Sequence, residues 1–192
     1  MSDRRTELLD CALTLLAEQG LRGLTHRAVD QVAGLPAGST SYYFRTRAAL
    51  VEGCVGRLLE LDLVVELPSV LAAHPAALVD VLTGIGVAMA TTQRRRTLAR
   101  YELSLAAVRE PDLRPPLIEG GDMLRRLAAQ ALVGWGAADP DAAAAEVAAV
   151  LDGLVFTALL RGPHDPSALA AWLRPALARA LAGLRANGPF ES

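Results

Sequence analysis

Apolar residues recur along the chain at helical rather than strand spacing. Leu8, Ala12, Leu15 and Leu16 lie on one face of a predicted first helix over about residues 4 to 19, and Gly20 supplies its end. This pattern predicts an amphipathic helix at the start of the chain.

Three further helices are predicted before residue 70. Thr25 caps a short second helix that ends at Gly34, and Pro36 suits the first turn of a third helix over about residues 36 to 43. Thr46 caps a fourth helix over about residues 47 to 66. Four helices with a tight turn between the second and third are typical of a helix-turn-helix module.

The rest of the chain predicts five more helices, at about residues 75 to 92, 95 to 109, 115 to 135, 140 to 161 and 167 to 185. Short connecting segments that contain Pro or Gly separate these helices. The 36 Ala and 34 Leu among 192 residues favour helix throughout. We therefore expect an all-α fold of about nine helices, with a helix-turn-helix domain over residues 1–50 and a helical domain over residues 51–192.

Composition excludes several classes of protein. The chain has a net charge of −2, three His and two Cys, without a nucleophile elbow, a lysine-containing phosphate loop or a metal-ligand spacing. We expect no catalysis, no metal and no cofactor. The longest uncharged runs have 13 residues, too short for a membrane span, and the amino terminus lacks a signal peptide. These features predict a cytoplasmic protein with no membrane partner.

The charge is unevenly distributed. Between Arg22 and Arg47, four Arg accompany a single acid, Asp30, for a local charge of +3. A small basic patch on an acidic protein can mark a nucleic-acid surface, although a solvated charged face gives the same pattern.

The segment from residue 20 to residue 47 resembles the DNA-binding domain of the tetracycline-repressor (TetR) family. The shared features are a glycine after the first helix, a threonine cap, a tight turn, an aromatic cluster and a basic residue that opens the fourth helix: Gly20, Thr25, Gly34, Tyr42-Tyr43-Phe44 and Arg47. The run Ala99-Arg100-Tyr101-Glu102-Leu103 is a second, shorter match. The resemblance implies a dimeric transcriptional regulator, mostly a repressor, that leaves its operator when a small molecule fills the C-terminal domain.

Ten residues are candidate contacts to double-stranded operator DNA: Thr25, His26, Arg27, Ala37, Ser39, Thr40, Ser41, Tyr42, Tyr43 and Arg47. The resemblance implies a base contact for Arg27, and Arg pairs well with guanine. Thr25, His26 and Arg47 lie at or next to helix amino termini, which suit phosphate contacts, although His26 could equally be an exposed polar residue.

The helix-3 candidates leave alternatives open. The hydroxyl groups of residues 39 to 41 can bond base edges or phosphates, or merely suit a short exposed helix. One of Tyr42 and Tyr43 can close the small core while the other reaches a phosphate, and Phe44 is expected in the core.

The C-terminal part predicts a pocket for a small, largely apolar effector. Its candidate lining is Met89, Tyr101, Glu102, Trp135 and Phe156, each apolar member of which could also be plain core. Glu102 lies at the edge of an apolar helix face, so it either binds a donor group of the ligand or pairs with an Arg of a neighbouring helix.

The last two predicted helices carry wide apolar stripes, which predict a homodimer interface arranged as a four-helix bundle. The candidate interface residues are Val147, Leu151, Leu154, Ala158, Leu173, Leu177 and Leu181. An alternative function is a helical ligand-binding or interaction protein without sequence-specific DNA binding. The net charge of −2 is compatible with that alternative, whereas the Arg22 to Arg47 segment argues against it.

Overall fold

The computed structural model describes residues 3–63 and 77–184, and over these ranges its regular structure is helical. Nine α-helices and one 3-10 turn (Pro111–Leu113) are present there, without a β-strand. The helices are α1 Arg4–Gly23, α2 His26–Val32, α3 Ser39–Tyr43, α4 Arg47–Leu63, α5 Leu78–Ala90, α6 Arg94–Arg109, α7 Arg114–Trp135, α8 Pro140–Arg161 and α9 Pro166–Ala182. The all-α prediction is confirmed. The predicted helix ends at residues 64–66, 75–76 and 185 lie outside the described residues.

Two glycines change the predicted boundaries of the first and third helices. Gly20 interrupts α1 with φ 66°, as expected of a helix stop, but the chain resumes a helical path to Gly23. Gly38 has φ 95°, a left-handed conformation outside the helix, so α3 begins at Ser39 rather than near Pro36. Glycine populates positive φ at little cost because it has no Cβ, which explains both positions.

The described residues within Met1–Val65 and Arg95–Gly121 form one compact unit. Its core combines leucines of α1 with Leu50 and Cys54 of α4 and with Ala99 and Leu103 of α6. Phe44 is 2% exposed and belongs to the same core, as expected. The unit therefore extends past the predicted boundary at residue 50, because α4 and α6 bury their apolar faces against α1. The functional division into two domains stays a prediction.

The described residues within Glu66–Arg94 and Asp122–Ser192 form a second compact unit. Its core is made by α5, the later turns of α7, α8 and α9. Helices α5 and α9 approach closely, since a Cβ on Gly86 would lie 3.0 Å from Leu173 Cδ1. Asp139 and Asp165 cap α8 and α9, each accepting a bond from a backbone N–H three residues later, and a proline follows each cap.

One described helix, Pro140–Arg161, is long and apolar enough to cross a bilayer by length and composition, with a mean hydropathy of 1.8. The uncharged runs of the sequence, which have at most 13 residues, predict no segment of that length. The helix packs against α5 and α9, and it buries Val147, Val155 and Ala158. Of the 18-residue stretch that meets this criterion, 28% is buried within the described structure.

Candidate nucleic-acid interface

The turn between α2 and α3 is held by a buried carboxylate. Asp30, on α2, is 3% exposed and accepts hydrogen bonds from the backbone N–H of Gly38 (2.8 Å), from that of Thr40 (2.7 Å) and from the Thr40 hydroxyl (2.5 Å). The backbone N–H groups at the start of a helix have no partner within that helix. The cap residue of α3, Gly38, has no side chain that could accept from them, and the Asp30 carboxylate accepts instead. A helix of five residues is thus anchored by the preceding helix.

The same bonds set the protonation of Asp30. Burial raises the pKa of its carboxyl, but the bonds from Thr40 and Gly38 and the nearby His26 outweigh burial and hold that pKa below its usual value. Sequence reasoning missed this role. The available signal was that Asp30 is the single acid of the basic segment, just before a turn.

The structure contradicts the prediction that Thr40 contacts DNA. Its side chain is fully buried, and its hydroxyl donates to Asp30. A hydroxyl committed inside the module cannot reach a base edge or a phosphate. The prediction for Thr40 was wrong because the Ser-Thr-Ser run was assigned without knowing which side of so short a helix faces inward.

The exposed surface around this turn contains most of the other candidates. Among them are Thr25, Arg27, Ala37, Ser41, Tyr42, Tyr43 and Arg47. Ser39 is half-buried, and its hydroxyl donates to the Pro36 carbonyl (2.7 Å). Thr25 caps α2 as predicted, accepting from Ala28 N–H at 3.1 Å.

The two tyrosines both lie at the surface. Tyr42 is 79% exposed and Tyr43 is also exposed, with their rings edge to face at a centroid distance of 5.1 Å. The expectation that one of them closes the core is wrong, because Phe44 fills that position. Both hydroxyl groups remain candidates for a phosphate contact.

His26 and Arg47 brace the module from its two ends. His26 Nε2 lies 2.7 Å from the Phe44 carbonyl, so this nitrogen carries the proton and donates it. Arg47 Nη2 donates to the Leu21 carbonyl at 2.9 Å. Thr46 caps α4 by accepting from Ala49 N–H. The His26 bond joins the start of α2 to the end of α3, and the Arg47 bond joins the start of α4 to α1.

The predicted pocket residues fall in both units. Tyr101 and Glu102 belong to the first unit, whereas Met89, Trp135 and Phe156 belong to the second. Met89 is buried, Trp135 packs against the core of the second unit, and Phe156 is exposed. Glu102 lies against Gly20 of α1, since a Cβ on Gly20 would be 2.9 Å from Glu102 Oε2. The effector pocket stays a prediction.

The predicted dimer residues are largely internal. Val147, Ala158, Leu173, Leu177 and Leu181 are buried in the core of the second unit, and Leu151 and Leu154 are half-buried against it. The five buried residues are unsuited to contact a second chain, because other helices of the same unit already cover them, whereas Leu151 and Leu154 stay predicted interface residues. The large apolar side chains exposed on α8 and α9 are Phe156, Leu160 and Trp172.

No group of three or more His, Cys, Asp or Glu among the described residues could hold a metal ion. The candidate interface contains basic, hydroxyl and aromatic side chains, which suit contacts to a phosphate backbone and to base edges.

A family model described as tetracyclin repressor-like, C-terminal domain, matches residues 73–185. A curated relative, the HTH-type transcriptional repressor KstR2 of Rhodococcus jostii, is 47% identical over 51 residues, which are 27% of this chain and 25% of that protein. The match therefore spans about a quarter of that relative's length.

Solved structures match almost the whole chain. A member of the TetR family from Streptomyces coelicolor A3 is 30% identical, with coverages of 93% of this chain and 98% of that one and a TM-score of 0.69. The multidrug binding protein EbrR, complexed with ethidium, is 30% identical. That match covers 91% of this chain and 98% of EbrR, with a TM-score of 0.63. The curated relative is described as a transcriptional repressor, and none of these three descriptions names an enzyme.

Proposed function

The chain belongs to the tetracycline-repressor (TetR) family of transcriptional regulators, and from this premise we propose that it is a dimeric repressor that leaves its operator when a small, largely apolar effector binds. The observation that carries the DNA-binding role is the turn fixed by Asp30. It holds Arg27 at the start of α2 and Ser41 and Tyr42 of α3 at the surface of one small basic module. The repressor role is supported by the similarity to KstR2.

The proposed roles of the exposed residues follow from their chemistry. Arg27 reads a base edge, since its guanidinium is exposed and Arg forms paired bonds with guanine. Ser41 and the two tyrosine hydroxyls contact base edges or phosphates. Thr25 and Arg47 lie at the amino termini of α2 and α4, where phosphates are favoured.

The proposed dimer uses the outer faces of α8 and α9. Phe156, Leu160 and Trp172 are exposed there, and exposed large apolar side chains favour a protein partner. The small residues Ala149 and Gly153 are exposed on α8 and permit close approach of a helix. A second copy of the same face would complete a four-helix bundle across a two-fold axis.

The DNA-binding role is tested by selecting bound sequences from a random DNA library and measuring affinity at several salt concentrations. We expect a palindromic site and an affinity that falls steeply with salt, with a logarithmic slope of about −0.9 for each phosphate contacted. If no sequence is enriched and the affinity does not respond to salt, the protein is a helical ligand-binding or interaction protein instead.

The effector role is tested first on the protein alone, with ethidium as the probe, because EbrR was crystallised with that compound. Ethidium intercalates into DNA, so its binding to the protein is measured by calorimetry without DNA. Release of the protein from its operator is then measured with an apolar compound that binds the protein but does not intercalate. We expect Trp135→Ala to blunt the response, with Val133→Ala, at an exposed site on α7, as the control. A compound that tightens DNA binding would indicate a corepressor.

A further inference from the structure

A polar cavity of about 650 Å³ lies within the first unit, between the end of α1, the first residue of α4 and the last turns of α6. This volume is in the range of ligand sites. Three arginines and three glutamates contribute to the lining: Arg22, Arg47, Arg109, Glu18, Glu102 and Glu110. Of the five predicted effector residues only Glu102 is among them, so this cavity is not the apolar pocket proposed above.

The cavity lining has as many arginines as glutamates, but these side chains do not form ion pairs with one another. Among the ion pairs of the described residues, none links one of these arginines to one of these glutamates. Separated opposite charges at the surface attract each other weakly through water. A small molecule that carries both signs can contact both at once, whereas an apolar molecule would remove water from charged groups without replacing its bonds.

Two of the charged side chains lie beside the kink of α1. The Glu102 carboxylate packs against the bare backbone of Gly20, where a Cβ would be 2.9 Å from Oε2. The next residue, Leu21, accepts a hydrogen bond through its carbonyl from Arg47 Nη2. The carboxylate thus lies beside Gly20, and the guanidinium is bonded at the next residue, Leu21; a group that is already bonded loses less freedom when a ligand arrives.

We propose that this cavity binds a small zwitterion, such as a free amino acid or a short peptide. The ligand carboxylate contacts Arg47, and the ligand ammonium contacts Glu102. A consequence rests on the proposed function: because Arg47 is proposed to contact a DNA phosphate, a carboxylate bound to it competes with DNA. Zwitterion binding then weakens operator binding independently of the apolar effector.

The test uses glycylglycine, L-leucine and β-alanine as probes, each compared with its N-acetylated and its amidated form. Binding to the full chain is followed by NMR chemical shifts without DNA, at concentrations up to about 10 mM. We expect at least one zwitterion to bind and both single-charge derivatives to lose about tenfold or more in affinity. Absence of binding by all three zwitterions, or equal binding by the derivatives, overturns the proposal.

The matched variants are Glu102→Gln and Glu119→Gln. Glu102→Gln keeps the shape of the side chain against Gly20 and should lower zwitterion affinity about tenfold, whereas Glu119→Gln, at an exposed position on α7 outside the cavity, should leave it unchanged. Equal affinity of Glu102→Gln and wild type contradicts the assignment, provided that both melt at the same temperature.

DNA binding is measured separately, so the two proposals fail separately. Failure of the ligand-free protein to bind DNA refutes the proposed function but leaves the binding site testable by NMR. If the zwitterion binds and operator affinity stays constant at saturation, the competition through Arg47 is refuted.

Discussion

Individual side chains of the helix-turn-helix divide into those that hold the turn and those that face outward. Asp30 and Thr40 are buried and bonded to each other, whereas Arg27, Ser41 and Tyr42 are exposed within the same short stretch. Substitutions of the first group should therefore change stability, and substitutions of the second group should change binding without changing stability.

Arg27→Ala should weaken operator binding by about 1 to 3 kcal/mol and relax the preference at one base pair of each half-site. Its exposed side chain leaves the fold unaffected when it is removed. The measurement is a sequence selection followed by affinity titration, with Arg161→Ala at the end of α8 as the control. A uniform loss over all sequences would instead assign Arg27 to a phosphate.

Asp30→Asn should destabilise the protein at pH 7 by about 1 to 3 kcal/mol, because it leaves buried donors of the turn poorly satisfied. The pKa of Asp30 is lowered in the folded state, so its stabilising contribution is present above the unfolded pKa of about 3.9 and is lost as pH falls through the folded value. The variant should therefore lose part of the decline in stability that wild type shows as the pH falls below the unfolded pKa of Asp30. Urea unfolding at pH values above and below that pKa measures it.

The matched control for this acid is Glu52→Gln, at an exposed position on α4. It should leave both the free energy of unfolding and its pH dependence close to those of wild type. Parallel stability curves for Asp30→Asn and wild type through the acid range would contradict the role given to Asp30.

At the scale of whole elements, α4 connects the local module to the core of the first unit, and its glycines show how closely it packs. A Cβ on Gly53 would lie 2.8 Å from Phe44 Cε1 and 2.9 Å from Leu9 Cδ2, whereas a Cβ on Gly56 would meet nothing within 4 Å. The two sites are three residues apart on the same helix, so they separate packing from helix propensity.

Gly56→Ala should stabilise the protein by about 0.4 to 1 kcal/mol, because alanine favours helix and finds open space at this position. Gly53→Ala should destabilise it by about 1 to 3 kcal/mol, because the added methyl forces Phe44 and Leu9 to move. Chemical denaturation of both variants measures the contrast. If Gly53→Ala stabilised the protein as much as Gly56→Ala does, the side chains of Phe44 and Leu9 would have moved to admit the methyl group at little cost.

At the scale of the whole molecule, the question is which apolar surface remains for a second chain. The stripes that predicted a dimer are covered inside the second unit, and Leu177, for example, is only 1% exposed. A charge at such a position would unfold the unit and could not test assembly. Exposed positions on α8 and α9 provide a cleaner test.

Leu160→Glu should give a folded monomer that binds the operator much more weakly, because one half-site contact loses the avidity of the second. Leu160 is 68% exposed on α8, so the fold tolerates a charge there. Val108→Glu is the control, since Val108 is 69% exposed on α6 of the first unit and should leave the dimer intact. Light scattering at micromolar concentration decides between the two expectations. A Leu160→Glu protein that remains dimeric would move the interface elsewhere.

Features that depend on neighbours along the chain could be predicted from the sequence. Helical periodicity, the Thr25 and Thr46 caps and the helix interruption at Gly20 all follow from interactions within a few residues, and each is present in the structure. The resemblance of residues 20 to 47 identified the family for the same reason, since its motif is local.

The covered side of each element depends on contacts between residues that are distant in sequence, which could not be predicted. Thr40 bonds Asp30 ten residues away, and Glu102 packs against Gly20, which is remote in sequence. The apolar stripe of α9 carries the same signal whether it meets a helix of its own unit or one of another chain, because burial depends on apolar area and not on the identity of the neighbour. Periodicity therefore predicted that Leu173, Leu177 and Leu181 are covered, but not that the covering helices belong to the same chain.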